Sequence, residues 1–312
     1  MKVNFDIDYV FPWVNDMDNV WRNTYQSYCE THGEAKRLEE MKKERYRDWG
    51  LLKFLFRAIE KNMPWIRNLY LIVSNKEQVP AWVNQENVKI VLHEDIIPAR
   101  FLPTFNSTAI EMFIWKIPGL AEHFIYGNDD IYPMRPSEPD DWFTPEGNPR
   151  CNMRVVDVKM IMCKQFRMVC AKQWWALQNA TNNIVNRTNY RRPWHGLAPL
   201  DKTKCAETIQ TLGEENVFKT ISAFRTDDNY NQYIYLDYMF LKDYLKPSGV
   251  SFDYVGAKKP LKLLEAIEKS NSQVICINDC NNDLTKLQLA TLQVLCAKAF
   301  EKKLPDKCKY EN

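Results

Sequence analysis

The segment Phe124–Tyr132 constrains this chain most, because a short apolar run ends there in two adjacent acids. Apolar residues followed by Gly127 and by Asn-Asp-Asp at 128–130 predict a buried strand that stops in a tight turn. In open α/β sheets, ligands bind in the crevice beyond the strand ends. Asp129 and Asp130 resist joint ionisation there unless a cation offsets them, because like charges raise a carboxyl pKa. The segment therefore fits a divalent-metal site that bridges to phosphate oxygens, and it also fits a solvated turn.

Short apolar runs alternate with segments of helical spacing along the chain, which is typical of an α/β sheet with helices on its faces. The predicted strands are Ile7–Val14, Asn68–Ser74, Val88–Leu92, His123–Tyr126, Arg150–Val158, Met160–Met162 and Val274–Ile277. The predicted helices are Asp48–Asn62, Ser107–Ile117, Gln173–Asn183, Asp201–Leu212 with Asp201 as N-cap, Tyr230–Tyr244 and Leu284–Lys303. The segment Asn186–Pro199 is predicted to be a polar loop.

Size and composition narrow the class of protein. The 312 residues, 45% of them hydrophobic, suffice for one large α/β domain or two modest ones. No repeat or long linker divides the sequence, so we expect one domain over residues 1–312. The formal net charge of +2 lacks the basic excess of a nucleic-acid binder. No Gly-x-Gly-x-x-Gly, Walker or Gly-x-Ser-x-Gly pattern occurs, which argues against Rossmann dehydrogenases, P-loop enzymes and serine hydrolases.

Cysteine usage and hydropathy indicate the compartment. The nine cysteines are irregularly spaced, and Cys276 with Cys280 has no second pair or nearby His to complete a zinc set. The first residues do not resemble a signal peptide, and no stretch reaches the roughly 18 apolar residues of a membrane span. We therefore expect a cytoplasmic protein. The last predicted helix carries leucines beside lysines, which fits packing on the sheet or contact with the inner face of a membrane.

Three predicted strands end in similar polar side chains. These are Asn15 and Asp18 after the first strand, Asn128, Asp129 and Asp130 after the fourth, and Asn278 and Asp279 after the last. The carboxyl ends of parallel strands meet at one edge of a sheet, so we expect these side chains to converge. Their recurrence favours a metal or phosphate site over an isolated turn.

A candidate base lies in the loop Tyr190–Gly196, where His195 follows Arg191 and Arg192. An imidazole with an ordinary pKa near ~6.5 is able to accept a proton from an attacking hydroxyl. A solvated surface His flanked by arginines also fits this loop.

Two further arginines are candidate phosphate ligands. Arg225 precedes Asp227 and Asp228, and Arg47 precedes Asp48 at the start of the first long helix. Each guanidinium is placed to bind phosphate or to form a local ion pair with its acidic neighbour.

Four segments resemble the motif blocks of the Stealth family: Ile7–Asp18, Arg45–Arg150, Arg192–Leu200 and Val274–Asp279. The second is the most specific, because it holds Pro-Trp-Ile-Arg, Val-Pro-Ala-Trp, Leu-Pro-Thr-Phe-Asn-Ser, Ala-Ile-Glu and Tyr-Gly-Asn-Asp-Asp in order. The family contains bacterial capsule and cell-wall polysaccharide phosphotransferases and the catalytic part of the lysosomal-enzyme GlcNAc-1-phosphotransferase. This chain lacks the large insertions of the animal members, so it resembles the compact bacterial form.

The resemblance implies a transferase of capsule or exopolysaccharide synthesis. A hexose-1-phosphate or N-acetylhexosamine-1-phosphate would pass from a UDP-sugar to a hydroxyl of a lipid-linked polysaccharide or oligosaccharide, forming a phosphodiester and releasing UMP. The implied fold is a three-layer α/β sandwich with a mostly parallel central sheet, similar to GT-A nucleotide-sugar transferases. An alternative is a metal-dependent glycosyltransferase that releases UDP, and a more distant one is a carbohydrate-binding protein without catalysis.

The resemblance also gives the candidate residues expected roles. Asp129 and Asp130, helped by Asn278 and Asp279, would hold Mg²⁺ or Mn²⁺. His195 is expected to be the general base, with Asp130 as the alternative. The expected nucleotide contacts are Trp13, Asn15 and Asp18, and the expected diphosphate contacts are Arg47 and Arg225. Further substrate contacts are expected at Asn106, Ser107, Asn128 and Arg192.

Overall fold

The computed structural model describes residues 2–33, 46–157, 165–185, 189–279 and 284–312. The strands of its largest sheet are β1 Ile7–Pro12, β2 Leu69–Val73, β3 Val88–Leu92, β4 His123–Tyr126 and β8 Ala198–Asp201. They lie in the order β3-β2-β1-β4-β8. The first four run parallel, and β8 is antiparallel to β4. The prediction of a mostly parallel central sheet is confirmed.

The described helices connect these strands or follow them. They are α1 Asn19–Thr31, α2 Leu52–Asn62, α3 His93–Ile96, α4 Ser107–Glu111, α5 Pro139–Trp142, α6 Gln165–Thr181, α7 Lys202–Leu212, α8 Glu214–Phe218, α9 Tyr233–Leu241, α10 Pro260–Lys269 and α11 Lys286–Lys303. Asp201 caps α7 as predicted, because its Oδ1 accepts a hydrogen bond from the backbone N–H of Lys204 at 2.8 Å. Within the described ranges, no helix has the length and the apolar run that crossing a membrane requires.

The central sheet has a hydrophobic core on each face, because successive strand residues point to opposite sides. Tyr9 and Phe11 contribute to the core that contains α2 and α11. Val10 and Phe124 contribute to the other core, which contains α7 and α9. A sheet covered by helices on both faces has three layers, as predicted.

A second sheet lies beside the first. It is formed by β5 Ile131–Pro133, β9 Phe252–Gly256 and β10 Val274–Asn278, in the order β5-β10-β9. β5 begins directly after the Asn-Asp-Asp turn that ends β4, so this turn connects the two sheets. Because β10 belongs to the second sheet, the expectation that its polar end lies along the edge of the central sheet is wrong. The sequence analysis did not predict β5 and β9. β5 has only three residues, and both strands are formed by pairing with β10.

The predicted helix Ser107–Ile117 is wrong in its length. α4 ends at Glu111, and a separate 3₁₀ turn covers Ile114–Lys116. Aromatic and β-branched residues at 113–117 are weak helix formers, and Pro118 disfavours helical geometry at the residue before it. The chain therefore tightens before it enters β4.

The predicted loop Asn186–Pro199 is also wrong. Residues Asn189–Pro193 form β7, which pairs antiparallel with β6 Met153–Asp157, and β8 begins at 198. Tertiary pairing and burial of Tyr190 override the local polarity of the segment. Residues 186–188 of that loop and the predicted strand Met160–Met162 lie outside the described residues.

Candidate active site

A cavity of about 280 Å³ opens where the central sheet meets the second sheet. Its walls come from the ends of β1, β4 and β10, the start of α4, the residues before α2 and the connection between β7 and β8. The sequence-predicted residues that line it are Trp13, Arg47, Asn106, Ser107, Asn128, Asp129, Asp130, His195, Arg225, Asn278 and Asp279. Their roles stay predictions, but the chain brings these side chains to one place.

Asp129 and Asp130 form the acidic floor of the cavity. Burial and the neighbouring carboxylates of Asp130 and Asp48 raise the pKa of Asp129 to about 8. Burial raises the pKa of Asp130 to about 6, although a hydrogen bond from Cys276 opposes that rise. Close packing at Gly127 fixes this turn, because a Cβ there would lie 2.6 Å from the Tyr9 hydroxyl. A bound cation would favour the ionised forms of these two buried acids, so their raised pKa values make the turn a candidate cation site.

The end of β10 supplies the Asp279 carboxylate to the same cavity, and the buried thiol of Cys276 lies behind the Asp130 side chain. The Cys276 Sγ lies 3.5 Å from Asp130 Oδ2, and the Ile277 N–H donates to the Asp130 carbonyl at 2.8 Å. Asp279 Oδ2 accepts a hydrogen bond from Trp49 Nε1 at 2.8 Å and lies 3.3 Å from Arg47 Nη1. Arg47 therefore forms an ion pair with Asp279, which is distant in sequence, and not with its neighbour Asp48.

His195 lies half-buried on the opposite wall. Its Nδ1 is 2.8 Å from the Tyr233 hydroxyl. Burial, together with Arg192 and Arg225, lowers the pKa of His195 to about 4, so the ring is neutral at physiological pH. When Nδ1–H donates to Tyr233, the Nε2 lone pair is left to accept a proton. The alternative tautomer would make Nε2 a donor.

Arg225 reaches the cavity from the loop that precedes α9. It donates a hydrogen bond to the Ser107 hydroxyl at the start of α4. Asp228, one of its expected ion-pair partners, instead lies 2.6 Å from Lys172 Nζ. Arg225 is exposed, so its guanidinium is accessible to an anion in the cavity.

Asn106 holds the loop that carries Arg225 in place through hydrogen bonds. Its amide donates to the Ser222 carbonyl and to Asn229 Oδ1, each at 3.0 Å. Its Oδ1 accepts hydrogen bonds from the backbone and hydroxyl of Thr108. These contacts make Asn106 a positioning residue that ties the arginine loop to α4.

Three sequence-predicted residues do not line the cavity. Asn15 Oδ1 accepts from the Met17 N–H, and Asp18 Oδ1 caps α1 by accepting from the Trp21 N–H at 2.7 Å. Arg192 lies behind the site, with its guanidinium 5.8 Å from the centre of the Tyr233 ring. The predicted polar residues after β4 and β10 therefore converge, whereas those after β1 do not, although Trp13 at the end of β1 lines the cavity.

Sequence reasoning missed Glu111 as a site residue, although it lies in one of the quoted motifs. This carboxylate is buried beside Arg225, and it accepts hydrogen bonds from the Gln232 N–H at 2.8 Å and the Tyr126 hydroxyl at 3.4 Å. Burial raises the pKa of Glu111 to about 7. The sequence signal that could have indicated this residue is that Glu111 is the only charged residue of α4.

The residues around Asp130 fit a divalent cation. Asp130 Oδ1 is buried and has no hydrogen-bond partner among the described residues, which is unusual for a carboxylate oxygen. Ligand atoms of Asp130, His195 and Cys276 lie within 4.8 Å of one another. Oxygen donors suit Mg²⁺ or Mn²⁺, whereas a set that includes the thiol would suit zinc.

A family model and several relatives of known name are similar to this chain, and they point to the same kind of protein. The model described as Stealth protein CR2, conserved region 2, matches residues 45–151. The exopolysaccharide phosphotransferase cps2G of Lactiplantibacillus plantarum is 28% identical, over 98% of this chain and 96% of its own length. The receptor polysaccharide phosphotransferase WefC of Streptococcus oralis is 28% identical, over 98% and 99% respectively. The capsular polysaccharide phosphotransferase WcwK of Streptococcus pneumoniae is 38% identical over 47% of this chain and 44% of its own.

Solved structures give a more distant likeness. A crystal structure of the galactosyltransferase LgtC with donor and acceptor sugar analogs has a TM-score of 0.46 and 11% identity, covering 97% of this chain and 98% of that one. Likeness at this level assigns neither substrate nor mechanism. The family model, the full-length relatives and the motif order in the sequence together support a likeness of this chain to the Stealth polysaccharide phosphotransferases.

Proposed function

We propose that this chain, as one catalytic domain, transfers a sugar-1-phosphate from a UDP-sugar to a hydroxyl of a polysaccharide or oligosaccharide acceptor. The transferred group is a hexose-1-phosphate or an N-acetylhexosamine-1-phosphate, the product is a phosphodiester, and UMP leaves. The likeness over nearly the whole chain to an exopolysaccharide phosphotransferase and to a receptor polysaccharide phosphotransferase supports this proposal. The alternative is a metal-dependent glycosyltransferase that uses the same donor and releases UDP.

One observation supports this proposal most: acids, arginines and a neutral imidazole share one cavity. Phosphoryl transfer depends mainly on positioning and on neutralising charge at the phosphorus. Asp129 and Asp130 supply metal ligands, Arg225 supplies an accessible cation, and His195 supplies a base that is neutral at physiological pH.

Asp129 and Asp130 would hold Mg²⁺ or Mn²⁺, with Asn278 and Asp279 at the edge of that site. The ion supplies Lewis-acid stabilisation of negative charge on the diphosphate. Cys276 orients the Asp130 carboxylate through its hydrogen bond to Oδ2, and the buried Oδ1, which has no hydrogen-bond partner among the described residues, would be a ligand for the ion.

The arginines and Trp13 would bind the donor. Arg225 donates a hydrogen bond to Ser107 and is attracted electrostatically by the buried Glu111 carboxylate. These two interactions would position its guanidinium to contact the diphosphate. Arg47 would exchange its ion pair with Asp279 for the same anion. Trp13, which is 5% exposed, presents ring surface to the cavity for the nucleotide.

His195 would accept the proton of the acceptor hydroxyl through Nε2. Tyr233 holds the ring by its contact with Nδ1, and nearby Arg192 disfavours the protonated imidazole. The hydroxyl oxygen then attacks the phosphorus that carries the sugar, and the bond from that phosphorus to the UMP oxygen breaks. Asp130 is the alternative base.

The acceptor is proposed to be a repeat unit on a lipid carrier at the cytoplasmic face of the membrane. Leu287 and Val294 are exposed on the outer side of α11, beside Lys298. An apolar stripe flanked by lysines suits peripheral contact with an anionic membrane.

Product analysis tests the proposed reaction. The purified chain is incubated with Mg²⁺ or Mn²⁺, an oligosaccharide acceptor and, in turn, UDP-glucose, UDP-galactose and their N-acetyl forms, and the nucleotide product is separated by ion-exchange chromatography. The proposal predicts UMP, absent with Asp129→Asn. Release of UDP with a glycosidic product would establish the glycosyltransferase instead.

A further inference from the structure

Two aromatic side chains of this molecule are left in solvent. Trp194 is 48% exposed and Tyr254 is 54% exposed, and no other Trp, Tyr or Phe whose side chain the structure describes is as exposed. Burying a large apolar side chain stabilises a protein by about 1.5–3 kcal/mol, so leaving two rings in water carries a cost. Such exceptions often mark an interaction site.

Both exposed rings lie beside His195. The centre of the Tyr254 ring is 6.0 Å from that of His195, and Trp194, its chain neighbour, lies 6.3 Å from the ring of Phe252. Phe252 and Tyr254 are two residues apart on β9, so their side chains leave the same face, about 7 Å apart. Trp194, Phe252 and Tyr254 therefore form a continuous surface, the aromatic platform, that ends at the candidate base.

Neighbouring residues fix this surface in place. A Cβ at Gly196 would lie 3.1 Å from the Phe252 ring, so the glycine allows the β7–β8 connection to approach β9 closely. The Arg154 guanidinium lies 5.1 Å from the centre of the Trp194 ring, a cation–π contact that orients the indole. The platform is thus rigid on one side and open to solvent on the other.

We propose that the aromatic platform binds a sugar ring of the acceptor saccharide and presents its hydroxyl to His195. This inference rests on the proposed function and names the acceptor subsite of the same active site. The C–H bonds on one face of a pyranose carry partial positive charge, and they pack on the negative face of an aromatic ring.

The donor is a poorer occupant of this surface. Its diphosphate requires cations and metal ligands, which Arg225, Asp129 and Asp130 supply inside the cavity. The platform lies outside that cavity's lining, with His195 between the two. An open platform also admits a chain that extends beyond one sugar, whereas a cavity of about 280 Å³ does not.

Saturation-transfer difference NMR tests the proposal without turnover. The probes are lactose, cellobiose and N,N′-diacetylchitobiose, each with the wild-type chain and with Trp194→Ala and Tyr254→Ala. Trp194→Phe keeps a ring at the same position, and Leu287→Ala removes a side chain that is 78% exposed on α11 as a matched control. Circular dichroism verifies that each variant is folded.

The proposal predicts saturation transfer to at least one probe with the wild type, with Trp194→Phe and with Leu287→Ala, and at least a fivefold loss in both alanine variants. Unchanged signals in the folded alanine variants would overturn it, and so would the absence of any signal with the wild type. Displacement of the sugar by UMP would also overturn it, because the platform would then be the nucleotide site. None of these binding outcomes depends on whether UMP or UDP is the product. Failure of the acceptor subsite is therefore distinguishable from failure of the proposed reaction, which the product analysis tests.

With an active acceptor in hand, the same variants give a kinetic readout. The KM for the acceptor should rise roughly tenfold, which corresponds to about 1.4 kcal/mol of lost binding, while the KM for the UDP-sugar stays within about twofold. Equal rises in both KM values would contradict an acceptor subsite.

Discussion

At the scale of single residues, two adjacent carboxylates determine the electrostatics of the cavity. The pKa values of Asp129 and Asp130, about 8 and about 6, both lie above the ordinary value of 3.8 because the groups are buried together. Without a cation Asp129 keeps its proton at neutral pH, whereas Asp130 is mostly ionised. Metal binding competes with protons on both groups, so the affinity for Mg²⁺ or Mn²⁺ should increase as the pH rises from about 6 to about 8.

The first prediction concerns the stability of the metal-free chain with Asp129→Asn. A carboxyl whose folded-state pKa is raised destabilises the fold increasingly as pH rises from its ordinary value toward about 8. Asparagine cannot ionise, so the variant should have a higher Tm than the wild type, with a larger difference at pH 8.5 than at pH 5. Calorimetry in EDTA measures both values, and an equal difference at the two pH values would contradict the assignment. With metal present, the same variant should lose roughly 100- to 1000-fold in kcat.

The second prediction separates the base from the residue that orients it. His195→Ala should lower kcat by roughly two to four orders of magnitude if the imidazole accepts the hydroxyl proton. Tyr233→Phe keeps the ring but removes the hydroxyl that contacts Nδ1 at 2.8 Å, so we expect a smaller loss, on the order of tenfold. Steady-state rates with saturating donor test both variants. A loss of only a few-fold in His195→Ala would assign that residue to positioning and leave Asp130 as the base.

At the scale of elements, the site depends on short contacts between loops and helix ends. Asn106 both caps α4 and holds the loop that carries Arg225, and it is 1% exposed. A buried side chain with this many hydrogen bonds is costly to remove, since each unsatisfied partner loses about 1–3 kcal/mol.

The third prediction follows from that double role. Asn106→Ala should lower the free energy of unfolding by about 1–3 kcal/mol and also lower kcat, because Arg225 loses its fixed position. Thr285→Ala is the matched control, since Thr285 caps α11 without touching that loop. Urea titration and kcat are measured for both variants. The same kcat in the two would show that the cap does not position the arginine.

The elements themselves could be predicted where local pattern decides. The bounds of β3 and β4 match the predicted runs, and α7 begins at the predicted cap. Elements formed by tertiary pairing could not be predicted: β5 and β9 depend on β10, and β7 depends on β6. The contact of His195 with Tyr233, and the burial of Glu111 beside Arg225, join segments distant in sequence, so no local pattern indicates them.

At the scale of the whole molecule, the C-terminal residues pack against the core that contains α2, with Cys308 and Tyr310 as buried members of it. Arg57 on α2 is buried and forms a bidentate ion pair with Glu311, at 2.8 Å and 3.0 Å, and it also donates to the Leu304 carbonyl at 2.8 Å. This pairing lowers the pKa of Glu311, so its contribution to stability is present above the ordinary value of 4.5 and is lost as the pH falls below it.

The fourth prediction uses that ion pair. Glu311→Ala removes the bidentate partner of the buried Arg57 and leaves it only the half-exposed Glu301 carboxylate at 3.4 Å, so the free energy of unfolding should fall by up to about 3–5 kcal/mol at pH 7. Lys53→Ala, which breaks an exposed pair with Glu301, should change it by less than about 1 kcal/mol. Urea denaturation at pH 7 measures both. Similar small effects would show that the C-terminal segment does not stabilise the core.

The claim that the cavity directs attack at phosphorus is tested most directly by following the donor's β-phosphate. A UDP-sugar labelled with ³²P at that phosphate is incubated with the chain, its metal and an oligosaccharide acceptor, and the label is then located. We expect the label to enter the saccharide in a phosphodiester, and we expect Asp130→Asn and His195→Ala to slow this transfer by roughly two orders of magnitude or more in folded protein. Label that remains entirely in UDP while the unlabelled sugar is transferred would contradict it.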